Sequence, residues 1–131
     1  MTSRPPTRVA FVLRVDPRLR DEYVRRHAAV WSTMLAELEA SGRRNYSLYL
    51  AEDSSLFGYY ETDDDDAARR YLAGSDIAAE WESEMAPFFL GLDGRPDQAM
   101  TVLTVIFNLV DQLGSSRGTT ESVPHPEGST S

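Results

Sequence analysis

An α+β fold of the ferredoxin-like kind, ordered β-α-β-β-α-β, is predicted by three features of the chain. Apolar or alternating runs rich in β-branched and aromatic residues stand at 8–15, 44–51, 56–61 and 100–110. The middle two are separated only by the polar turn EDSS, which is the spacing of a hairpin. Helical spacing of apolar residues fills the two longer intervals between the outer runs. That order gives an antiparallel sheet with its helices on one face.

The first strand, RVAFVLRV at 8–15, is short, continuous and apolar, as a buried strand is. Asp16-Pro17 then opens a helix, with Asp16 as the cap and Pro17 in the first position, where no N–H is needed. The spacing of Tyr23, His27, Val30, Trp31, Met34 and Leu38 predicts one continuous helix to about Ser41, with Gly42 as its left-handed cap. RNYSLYLA at 44–51 alternates, placing Tyr46, Leu48 and Leu50 on one face. LFGYYE follows at 56–61. Thr62 with Asp65 reads as a capping box for a second helix, and the acidic run Asp63–Asp66 suits its first turn. Gly74 interrupts that helix and Ser75 caps a further piece, IAAEWESEM, which Pro87 and the Gly/Pro/Asp-rich residues 91–97 end. MTVLTVIFNLV supplies the last strand at 100–110.

Strands one and four carry apolar residues at adjacent positions: Val9, Ala10 and Phe11, then Val105, Ile106 and Phe107. Both faces of the sheet therefore need cover, and helices cover one. A second copy packed sheet to sheet, a dimeric α/β barrel, is the expected cover for the other. The expected division of the chain is an arm at 1–7, one domain at 8–111 and a disordered tail at 112–131, where Gly, Ser, Thr, Pro and charge leave little to bury.

The totals exclude several function classes. A chain of 131 residues with 41% hydrophobic and 26% charged residues has the make-up of one soluble domain. A net charge of −8 and the lack of aromatic–basic interleaving argue against nucleic acid as a partner. No apolar run reaches the length of a membrane span, and MTSRPPTR lacks the apolar core of a secretory signal, so a cytoplasmic protein is expected. With no cysteine, and with one of its two histidines (His125) between tail prolines, the chain offers no familiar zinc site. Glycine-rich phosphate loops and nucleophile elbows are absent too, so neither metal nor cofactor is expected. Cofactor-free acid/base chemistry or simple binding remains.

His27 is the only near-neutral proton carrier within the expected domain. Tyr23, His27 and Trp31 lie four residues apart, so a helix aligns a hydroxyl, an imidazole and an aromatic plane on one stripe, a surface suited to a sugar. The same stripe also fits a core in which His27 marks the edge, and spacing leaves both readings open. Taken alone, Tyr46 and Trp81 read as packing residues.

EYVRRHAAVW, NYSLYL, LFGYYE, SDIAAEWESEM and IFNL, in this order from about residue 8 to 110, together resemble the L-rhamnose mutarotase family. The resemblance implies a ferredoxin-like homodimer that interconverts the α and β anomers of L-rhamnose without a cofactor. It implies His27 as the proton donor and acceptor, and Tyr23 and Tyr46 as sugar contacts. Trp81 matches the first of two adjacent tryptophans lining the family's sugar site; Glu82 stands in place of the second. The last strand departs as well, with Val105 and Phe107-Asn108-Leu109 where a glutamate and Phe-His-Leu are common. The expected division of labour has His27 as general acid/base, Tyr23 and Tyr46 orienting hydroxyls, Trp31 and Trp81 giving apolar contact, and Glu82 facing the sugar. The residues also leave room for a same-fold enzyme acting on another sugar or small cyclic metabolite, or for a sugar-binding module without catalysis.

Overall fold

A computed structural model describes residues 6–118. Four strands, β1 (Thr7–Arg14), β2 (Arg44–Leu50), β3 (Ser55–Thr62) and β4 (Thr101–Val102), form one antiparallel sheet in the order β2-β3-β1-β4. The helices are α1 (Arg20–His27), α2 (Ser32–Ala40), α3 (Asp65–Ala73), α4 (Asp76–Met85), the single turn α5 (Pro96–Ala99) and α6 (Leu109–Gly118). This is the α+β ferredoxin-like topology expected from the order of the periodic segments.

The register of the sheet sorts its two faces. Val9, Phe11 and Leu13 of β1 oppose Tyr60, Gly58 and Leu56 of β3, and Leu48 and Leu50 of β2 oppose Gly58 and Leu56. On that face lies a core that includes Tyr23, Met34, Leu72, Ala78, Trp81, Met85 and Phe88 from the helical layer. Gly58 is required there: a Cβ built on it would lie 2.0 Å from the Phe11 ring. On the opposite face, Tyr49 and Phe57 are 63% and 41% exposed, with no cover among the described residues.

Local chemistry explains the element ends. The Asp16 carboxylate accepts the Arg18 N–H at 3.0 Å, with Pro17 in the first position of a single 3-10 turn. Ser75 accepts the Ala78 N–H at 3.1 Å to start α4, and Gly42 takes φ +96° after α2. The expected Thr62–Asp65 box falls two residues later: Asp64 caps α3 by accepting the Ala67 N–H at 3.0 Å, and Thr62 accepts from the Asp64 N–H.

Three expectations need correction. The helix expected from 17 to 41 is broken after His27, and Trp31 has the extended backbone of a residue preceding α2 (φ −51°, ψ 134°). Arg25, Arg26 and His27 fill the last turn of α1, a stop signal that the apolar spacing masked. The last strand is paired only at Thr101 and Val102, followed by one more bond from the Leu103 N–H to the Ala10 carbonyl. Beyond it Val105, Ile106 and Phe107 are 55%, 92% and 61% exposed among the described residues. The tail expected to be disordered from 112 is helical through 118: Asn108 Oδ1 accepts the Asp111 N–H at 3.0 Å, and Arg8 pairs with Asp111 at 3.1 Å. Residues 1–5 of the expected arm and 119–131 of the expected tail lie outside the described residues.

Candidate functional site

Five of the six residues singled out in the sequence line one pocket between the sheet and the helices. Tyr23 and His27 come from α1, Tyr46 from β2, and Trp81 and Glu82 from α4. The pocket itself is small, about 70 Å³, and a broader cleft of about 870 Å³ beside it shares His27, Tyr46, Trp81 and Glu82. Trp31 is not among the lining residues. It packs edge-on behind Trp81, with ring centroids 5.0 Å apart at 85°.

His27 is fixed by its own helix. Its Nδ1 lies 2.9 Å from the Tyr23 carbonyl oxygen, which can only accept a hydrogen bond. Nδ1 therefore carries the proton, and Nε2 of the neutral ring holds the free lone pair. The ring lies against Tyr23 with centroids 4.2 Å apart and meets Trp81 edge-on at 5.4 Å. Burial among these aromatics lowers the His27 pKa below its ordinary value of 6.5, partly offset by the bond to the Tyr23 carbonyl. The ring is a neutral base at pH 7.

The two phenols stay protonated. Burial pushes the Tyr23 hydroxyl well above the ordinary tyrosine range, helped by Tyr46 and Glu82 nearby. Burial also raises Tyr46 to about 12, against the pull of the Arg43 guanidinium. Tyr46 reaches the pocket through a local irregularity. The β2–β3 register shifts between Arg44 and Ser47, with Asn45 at φ +49°, a backbone that asparagine tolerates better than most residues.

Glu82 is the acidic member of the set. Its Oε1 accepts the Asp97 N–H at 3.1 Å, and among the described residues it has no basic partner within ion-pair distance. Burial raises its pKa to about 8; the Asp97 carboxylate adds to the rise, and Arg95, the Asp97 N–H and Arg43 oppose it. Arg95 is committed elsewhere, gripping both Asp97 carboxylate oxygens at 2.7 and 2.9 Å. Glu82 is therefore mainly a neutral carboxylic acid at pH 7.

Two charged residues escaped the sequence reading. Asp97 lines the pocket mouth from α5, a turn whose only signal was Arg95-Pro96-Asp97 within a loop-like stretch. Arg43 precedes β2, is 6% exposed, and lies over the Tyr60 ring at 4.1 Å. Its Nε has no hydrogen-bond partner among the described residues. Paired arginines on a strand usually read as a solvated edge, so no pattern announced it. No group of metal-ligating side chains occurs among the described residues, and no helix there is long and apolar enough to cross a membrane.

The pocket thus joins a neutral imidazole, two phenols, a carboxylic acid and an indole. Comparison with known proteins points the same way. A family model described as L-rhamnose mutarotase matches residues 8–109. A protein named L-rhamnose mutarotase from Oceanobacillus iheyensis is 33% identical over 103 residues, covering 78% of this chain and 97% of the relative. One of the same name from Listeria monocytogenes serotype 4b is 38% identical over 101 residues, covering 76% and 96%. The crystal structure of an L-rhamnose mutarotase from Formosa agariphila superposes with a TM-score of 0.65 at 24% identity, over 79% of this chain and 98% of that one, a likeness of fold.

Proposed function

The chain belongs to the L-rhamnose mutarotase family, and on that premise we propose that it interconverts the α and β anomers of L-rhamnopyranose by cofactor-free acid/base catalysis at His27. The supporting observation is the bond between His27 Nδ1 and the Tyr23 carbonyl, which leaves Nε2 as a base on a ring lining the pocket. Mutarotation needs the anomeric hydroxyl proton removed and the ring oxygen protonated, so that the C1–O5 bond opens to an aldehyde and recloses on the other face. An imidazole neutral at pH 7 suits the first transfer and, once protonated, returns the proton on reclosure. Tyr23 and Tyr46 remain hydroxyl donors and orient sugar hydroxyls. Trp81 gives the apolar contact, and Trp31 acts behind it as a brace.

In this reading the enzyme is a homodimer that works in the cytoplasm on free monosaccharide. The dimer is supported by the exposed apolar residues Tyr49 and Phe57 on one sheet face and by the exposed apolar run at 105–107. Saturation-transfer NMR on equilibrated L-rhamnose tests the activity: catalytic amounts of protein increase magnetisation exchange between the anomeric protons. Binding-induced line broadening without faster exchange, or stronger catalysis on other aldoses of a panel, contradicts the assignment.

A further inference from the structure

We infer that Glu82 is the second catalytic residue of this pocket, the acid that protonates the pyranose ring oxygen while His27 deprotonates the anomeric hydroxyl. The inference rests on the mutarotase reading and adds the partner that His27 requires. Placement comes first: Glu82 follows Trp81 on α4, and both line the pocket shared with His27, Tyr23 and Tyr46. Anchoring comes second. The Asp97 N–H holds Oε1 at 3.1 Å, while Oε2 has no hydrogen-bond partner among the described residues. A carboxylic acid held by one oxygen presents the other for proton transfer.

The surroundings keep that acid protonated. Apolar walls from Phe11, Leu13, Trp81, Met85 and Met100 disfavour a carboxylate, and the nearest acidic neighbour, Asp97, disfavours it further. The charged and titratable groups facing Glu82 are Asp97 on α5 with Arg95 before it, Arg43 before β2, Tyr46 on β2, and Tyr23 and His27 on α1. Of these, Arg95 is engaged by Asp97 and Arg43 lies over Tyr60. Tyr23 and Tyr46 are the other hydroxyl donors lining the pocket, but burial has made both weaker acids than a free phenol. A donor with a pKa close to the working pH transfers a proton more readily than one about four units higher.

The step balances without a co-reactant. His27 Nε2 takes the proton of the anomeric hydroxyl, and the O1 electron pair forms the carbonyl. The C1–O5 bond breaks as Glu82 delivers its proton to O5. Imidazolium and carboxylate then flank the open-chain aldehyde, and their opposite charges attract across a pocket of low polarity. Rotation about C1–C2 presents the other carbonyl face, and reclosure returns both protons to their owners.

The test is the pH profile of L-rhamnose anomer exchange from about pH 5 to 10 for wild type, Glu82→Gln, Glu82→Asp and His27→Ala. Wild type is expected to give a bell, its acid limb set by His27 and its alkaline limb by Glu82. Glu82→Gln keeps the Asp97 contact, loses about 100-fold in kcat with a small change in KM, and loses the alkaline limb. Glu82→Asp retains an acid and therefore the alkaline limb, which a merely structural role for the side chain does not predict. Wild-type kcat with an unchanged bell in Glu82→Gln, or an Asp variant with no alkaline limb, overturns the proposal while the mutarotase reading stands. A wild-type protein no faster than buffer overturns both.

Discussion

His27 carries one defined tautomer because a backbone carbonyl, not a side chain, sits at its Nδ1. Substitutions elsewhere cannot easily switch that tautomer, since the acceptor belongs to the helix that holds the ring. Glu82 has the opposite character, with a protonation state that depends on burial and on Asp97. Its folded pKa of about 8 lies above its unfolded value, so the folded chain binds the extra proton and gains stability at low pH. That contribution is full below about pH 4.5 and is lost as the pH rises through about 8. His27 runs the other way: its folded pKa is lowered, so its contribution is present above pH 6.5 and is lost as the pH falls through the folded value. Thermal melts at pH 6 and pH 9 separate the two. Glu82→Gln is expected to lessen the alkaline fall in Tm by on the order of 5 °C, whereas an identical fall in both proteins means that Glu82 ionises freely.

At the scale of elements, the hairpin, the Ser75 cap and the Gly42 terminus were legible in the sequence because each depends on neighbouring residues alone. The break after His27 was not, because apolar spacing continues through Trp31 even though the backbone there is extended. Trp31 still reaches the site, but as a support for Trp81 set by tertiary packing. The site was legible in parts for the same reason. Tyr23 and His27 share a helix and a visible spacing, whereas Tyr46, Trp81 and Glu82 join them only through the sheet register and helix docking. Gly58 is where that register bears on the pocket, since the Phe11 ring that lines the pocket lies directly over it. Gly58→Ala is expected to cost about 1–3 kcal/mol by overpacking and to raise KM by displacing Phe11. Urea denaturation with parallel kinetics checks both, and wild-type stability in this variant would show that the ring can move aside freely.

The whole molecule has two faces: the helix-covered face holds the pocket, and the bare face is where we propose that a partner copy packs. Ile106, beyond the end of β4, is 92% exposed, and Phe57, on the bare face, is 41% exposed. Phe57→Glu with Ile106→Asp is expected to shift the protein from dimer to monomer in sedimentation equilibrium at micromolar concentration. A wild-type protein that sediments only as a monomer contradicts the dimer. The strand expected at 100–110 is paired only at its start, and the apolar residues beyond it have no cover among the described residues, which is where we propose that another chain packs. On the proposed mechanism activity depends on the other face, with His27 as the base and Glu82 as the acid. The most direct measurement is saturation-transfer NMR of L-rhamnose anomer exchange with wild type and His27→Ala at equal concentration and pH 7.5. Rapid exchange is expected with wild type, and a loss of at least about 100-fold in the variant. Equal exchange by the two proteins would contradict His27 as the base.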